Sequence, residues 1–111
     1  MSSNLPEEIS LELELAVAAR SAGNEGKARV HVRRAAGWAI KSWRERHGYS
    51  KKGISAFAYL QDLSTDLSVP ESVREAAANL VLRITANHEL PIETDVLDDA
   101  RLIVAYCIDT D

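Results

Sequence analysis

Arg33, Arg34, Lys41 and Arg44, followed by Lys51 and Lys52, are spaced to follow a phosphate backbone. Their cationic groups would neutralise phosphates and release counterions, which gives affinity without reading sequence. Trp38 lies one turn after Arg34, off the apolar stripe of the same segment, where its indole could stack on a base or a guanidinium. The competing account is a solvated helix face whose charges are met by acids of another helix or subunit, with Glu12, Glu14, Asp98 and Asp99 as candidates. His31, His47, His88 and Cys107 have no metal-ligand spacing, so neither a metal nor another cofactor is expected. There is no Gly-rich phosphate loop, Ser-His-Asp set or Glu-x-x-His pair.

Charge is unevenly distributed. Of 13 Lys and Arg residues, nine fall between Lys27 and Lys52, where Glu45 is the sole acid, so that stretch carries about +8. The remainder holds four bases and 16 acids, about −12, and the two parts sum to the net −4. One segment therefore offers a phosphate-seeking surface on an otherwise acidic molecule.

The 111 residues suit one domain, with a core of its own yet small enough to gain from pairing with a second copy. A 46% hydrophobic content with 5% aromatics implies a core of Ala, Leu, Val and Ile. Five Gly and three Pro are too few for a loop-rich or all-β chain. A single Cys107 leaves no internal disulfide, which fits a reducing cytoplasm. No apolar run approaches a membrane span of ~20 residues, and the acidic start, MSSNLPEEIS, is unlike a signal peptide. The expectation is a cytoplasmic chain without membrane attachment.

Five helical segments are expected, over about 6–22, 26–47, 54–66, 70–87 and 95–108, with Pro6 and Pro70 opening the first and fourth beside acids. The fourth has one apolar stripe: Val73, Ala76, Ala77, Leu80, Val81 and Ile84. The fifth repeats it with Val96, Ala100, Ile103, Val104 and Cys107, capped by Thr94 or Asp95. The second buries Ala28, Val32, Ala35, Ala39 and Trp43, while the third is anchored by Phe57, Leu60, Leu63 and Leu67. The first is ambiguous, because Ile9 to Leu15 alternates as a half-buried strand would. Its Pro-Glu-Glu start and Ala-rich continuation favour a helix with two apolar stripes. Ile9, Leu13, Ala16 and Val17 form one; Leu11, Leu15, Ala18 and Ala19 form the other, to be covered by a second subunit or by a longer helix. Short links between amphipathic helices give an all-α, up-and-down antiparallel bundle of four to five helices.

Lys27-Ala28-Arg29-Val30-His31-Val32-Arg33-Arg34-Ala35-Ala36-Gly37-Trp38-Ala39-Ile40-Lys41-Ser42-Trp43 resembles the long helix of HEPN domains (higher eukaryotes and prokaryotes nucleotide-binding). The short helix Ala56–Leu63, the Pro-initiated helix and the closing Asp-Asp-Ala-Arg-Leu-Ile helix follow in matching order, so the resemblance spans residues 6–108. It implies a homodimeric bundle associated with RNA or nucleotides, often beside a cognate nucleotidyltransferase or antitoxin. It also implies, for many members, metal-independent ribonuclease chemistry from an Arg, four to six intervening residues, and a His.

Arg83-Ile84-Thr85-Ala86-Asn87-His88 has that spacing. His88 could move the proton of a ribose 2′-hydroxyl, and Arg83 could stabilise the charged phosphorane. With nine Arg and three His in the chain, one such match arises readily by chance. Ile84 stands where active members carry a polar residue, and Glu89 would repel phosphate. Arg83 also has Asn79 and Asn87 one turn to either side. The leading expectation is a HEPN-like homodimeric binding module for RNA, nucleotide or a cognate partner, without efficient catalysis. Its alternatives are a ribonuclease using Arg83 and His88, and a structural protein whose acidic last segment (Glu93, Asp95, Asp98, Asp99, Asp109, Asp111) binds a basic partner.

Overall fold

The computed structural model describes residues 5–48, 55–82 and 95–110, and among them the chain forms five α-helices and no strand. They are α1 (Glu7–Ser21), α2 (Glu25–Arg46), α3 (Ala56–Ser64), α4 (Glu71–Val81) and α5 (Val96–Asp109). The alternating stretch Ile9–Leu15 is thus helical, as its acidic first turn (Glu7, Glu8) and Ala-rich continuation favour.

Local signals set the boundaries. Asn24 caps α2 by accepting a hydrogen bond from the Lys27 amide at 3.0 Å, and Ser55 caps α3 through Ala58 at 3.1 Å. Of the two expected caps of α5, Asp95 fills the role, accepting from Leu97 at 3.0 Å and Asp98 at 3.4 Å. Gly23, at φ 79°, takes the left-handed conformation that turns α1 back toward α2.

The helix α2 is the spine: α1, α3 and α5 all pack against it, and α4 closes the bundle between α3 and α5. Its stripe of Ala28, Val32, Ala35, Ala39 and Trp43 is buried, joined by Ala36 and Ile40. Small residues on this helix let its neighbours approach closely. Gly37 is the extreme case, since a Cβ added there would stand 2.6 Å from the Ala56 Cβ and 2.9 Å from the Ala56 Cα. The first turn of α3 therefore lies directly on the α2 backbone.

Three expectations are corrected. The fourth helix does not run to residue 87, because Leu82 is extended (φ −64°, ψ 139°) and α4 stops at Val81. The Leu80 and Leu82 carbonyls, which a further turn would have paired, accept hydrogen bonds from Arg33 instead. The third helix ends at Ser64, so Leu67 lies beyond it at 83% exposure, and Val69 takes the buried place. Phe57 is only marginally covered, leaving Leu60 and Leu63 as the α3 anchors.

On α1 the two-stripe reading needs redrawing. Ile9, Ala16 and Ala19 are buried and Leu13 packs on the core, while Val17 joins Leu11 and Leu15 outside. The first stripe faces the bundle, and most of the second is left open.

Candidate nucleic-acid interface

Of the six expected phosphate-binding cations, the four that are described do not form one surface. Lys51 and Lys52 lie outside the described residues, as do Arg83 and His88. The other four separate according to which side of α2 they occupy.

Arg33 turns inward. Its Nε donates to the Leu80 carbonyl at 2.6 Å and its Nη2 to the Leu82 carbonyl at 3.0 Å, closing the exposed end of α4. Burial, reinforced by the neighbouring Arg29 charge, lowers its pKa from the usual guanidinium value. Arg44 is likewise occupied. Its Nη2 donates to Asp62 Oδ2 at 2.9 Å and Asp66 Oδ2 at 3.0 Å, and its guanidinium lies 4.7 Å from the Trp43 ring centroid. Asp62 on α3 and Asp66 in the turn after it thus answer Arg44. Glu12 is engaged with His31, and Asp98 faces Arg101 on its own helix at 4.0 Å. The expectation that Arg33 and Arg44 belong to a phosphate-tracking face is corrected: both hold the bundle together.

Arg46, on the last turn of α2, has a similar structural part. Its Nη2 donates to the Cys107 carbonyl and, at 3.5 Å, to the Thr110 carbonyl at the end of α5. Two arginines of α2 therefore satisfy the free carbonyl ends of two other helices. Nothing in the sequence marks which arginine turns in, because the accepting groups are backbone atoms remote in the chain.

Arg34, Trp38 and Lys41 remain. They share one edge of α2 at i, i+4 and i+7, and this edge lies in the groove between α1 and α3. Trp38 is 43% exposed, and the Lys41 Nζ lies 5.1 Å from its ring centroid. Two shallow hollows, each about 190 Å³, meet at these residues. One is lined by Arg34, Gly37, Trp38, Lys41, Ala56 and Tyr59. The other runs toward α1, past Pro6, Glu8 and Ile9, with Ser42 and Glu45 on its α2 side. Tyr59 and Ala56 were not expected here. Both become part of the site because Gly37 lets α3 come so near.

Such an arrangement offers an aromatic face for stacking, a cation on either side for an anion, and a floor of small residues. Two acids, Glu8 and Glu45, border it and limit its pull on a polyanion. Among the described residues no three His, Cys, Asp or Glu side chains converge as metal ligands.

A buried polar pair stands beside this edge. His31 is 7% exposed, and its Nδ1 lies 2.6 Å from Glu12 Oε1, so imidazole and carboxylate join α2 to α1 inside an otherwise apolar seam. The placement of His31 three residues after Ala28 and four before Ala35, within the apolar arc, is the sequence signal for this burial.

No family model, no curated protein and no solved structure matches this chain. No described helix is long and apolar enough to cross a membrane.

Proposed function

We propose that this chain is a non-catalytic helical binding module that holds an RNA or nucleotide phosphate on the Arg34–Trp38–Lys41 edge of α2. The observation that carries the reading is the indole of Trp38, nearly half exposed on a rigid helix, with a lysine ammonium 5.1 Å from its centroid and an arginine one turn away. Soluble helices normally turn tryptophan inward, as this one does with Trp43. A base stacked on the ring would contribute about 1–3 kcal/mol, with Arg34 and Lys41 placed to meet its phosphates. The resemblance of the α2 sequence to HEPN domains supports the same class of ligand.

Magnitudes set the scale. With two cations on the single strand instead of four, log K should fall with log salt at a slope of about −1.4, so affinity drops roughly seven-fold between 50 and 200 mM salt. The site is thus expected to be weak and tolerant of sequence. Titration of the intrinsic tryptophan fluorescence with a short single-stranded oligoribonucleotide tests this. Quenching should vanish in Trp38→Phe and weaken strongly in Arg34→Glu. Binding that ignores salt, or that persists in both variants, overturns the reading.

A further inference from the structure

Trp38 separates two hollows of opposite charge. On the α3 side the polar lining is Arg34 and Tyr59; on the α1 side it is Glu8, Ser42 and Glu45, and Lys41 borders both. Each holds about 190 Å³, below the roughly 300 Å³ at which a cleft takes in a small ligand whole, so one ligand must span both across the indole. Both carboxylates are exposed, and neither has an ion pair among the described residues. A phosphate gives them no task. The other end of a nucleotide does.

An ionised carboxylate only accepts hydrogen bonds. Among the RNA bases, guanine has two adjacent donors on its pairing edge, N1–H and N2–H, and one carboxylate can take both at once. Adenine and cytosine set a bare ring nitrogen beside their amino group, and uracil sets its N–H between two carbonyls. In each of those three an acceptor would confront the second carboxylate oxygen. Guanine O6, next to its two donors, needs a donor from the site. Ser42 and Lys41 supply one in the same hollow, and Ser42 already accepts from Arg46 Nη1 at 3.2 Å, which leaves its own proton to donate.

We infer that the hollow between α1 and α2 selects guanine in a single RNA strand, with Glu8 and Glu45 accepting its N1 and N2 hydrogens while Trp38 stacks the ring and Arg34 meets the phosphate. This rests on the proposed function, because the base must first lie on Trp38. The same two acids that weaken the pull on a polyanion thereby set which base the edge holds. The hollow is open to solvent, so the preference falls at the low end for a two-bond base contact, about five-fold.

Tryptophan-fluorescence titrations with short oligouridylates carrying one central guanosine, inosine or adenosine provide the test. The three purines stack alike, and inosine lacks only the N2 amino group of guanosine. The guanosine strand should bind about five-fold more tightly than the other two. In Glu8→Gln/Glu45→Gln, with circular dichroism to show that the helices persist, all three strands should bind more tightly and with nearly equal affinity. If the acids act only by repulsion, that variant raises all three affinities by one factor and keeps their ratios, which overturns the inference. Equal binding of guanosine and inosine strands to the wild type overturns it too, as when a carboxylate takes the ribose hydroxyls instead. Salt-dependent binding that is equal for all three removes the base selection and leaves the proposed function standing. Binding of none of them removes both.

Discussion

Gly37 and Ala56 meet so closely that the backbone of α2 serves as the seat for the first turn of α3. Gly37→Ala gains about 1 kcal/mol of helix propensity. It also forces a methyl within 2.6 Å of one carbon and 2.9 Å of a backbone carbon that cannot rotate away. The steric cost should win, leaving a net loss of about 1–3 kcal/mol in urea denaturation. Adding Ala56→Gly should recover only part of it, because the Ala56 Cα remains in the way.

Arg33 and Arg34 are adjacent in sequence, but the first is turned inward onto α4 and the second is exposed. Arg33→Met removes two hydrogen bonds from a charged donor to the carbonyls that end α4. It should cost about 1–3 kcal/mol while leaving oligonucleotide binding unchanged. Arg34→Met should change stability by less than about 0.5 kcal/mol and weaken binding. Paired denaturation and fluorescence titrations of the two variants check the division.

Acid should loosen the bundle. The Ser68 hydroxyl, 2.6 Å from Asp66, and then the Ser68 amide and Arg44 hold the Asp66 carboxyl below its ordinary range against the opposing effect of burial. Burial pushes Asp95 upward, but Arg20 and the amides at the start of α5 draw it below that range. Both folded values are depressed, so the stabilisation is full above the unfolded value of about 3.9 and disappears as pH falls through the folded ones. Urea midpoints between about pH 5 and pH 2 should fall, and Asp66→Asn should flatten part of that decline.

Cys107 should be unreactive while the chain is folded. Burial pushes its thiol pKa up to about 12, despite the nearby Arg46 and Arg44 charges, and its side chain is fully enclosed. A thiol-specific chromogenic disulfide at pH 8 should label it only at the rate of unfolding, with full labelling in denaturant. Immediate labelling of native protein would contradict this.

Helical periodicity made most of the core legible. The stripes of α2 and α5 are buried as spaced, Trp43 is interior and Trp38 is outside. Leu67 went astray because its spacing fits a helix that Thr65 and Asp66 bring to an end. Of the cationic residues and the indole singled out with them, Arg34, Trp38 and Lys41 are the described ones left on an open edge. A helical wheel gives the direction of a side chain but not what stands opposite it. Arg33 and Arg46 found backbone carbonyls 47 and 61 residues away, and Arg44 found acids on α3 and the turn beyond it. The Glu12–His31 pair was missed for the same reason, since each is an ordinary polar residue until its helix packs.

The arginine contacts also orient the bundle. Arg20, Glu25 and Asp95 gather the last turn of α1 and the first turns of α2 and α5 at one pole. Arg46, Cys107 and Thr110 join α2 and α5 at the other, where Pro6 and Glu8 also lie against Ser42 and Glu45. Leu5 and Thr110 therefore sit at the same pole, and a short linker between them would bridge little space. A circular permutant spliced there and reopened in the turn before Asn24 should keep the same helical architecture, with its new ends at the pole far from the splice.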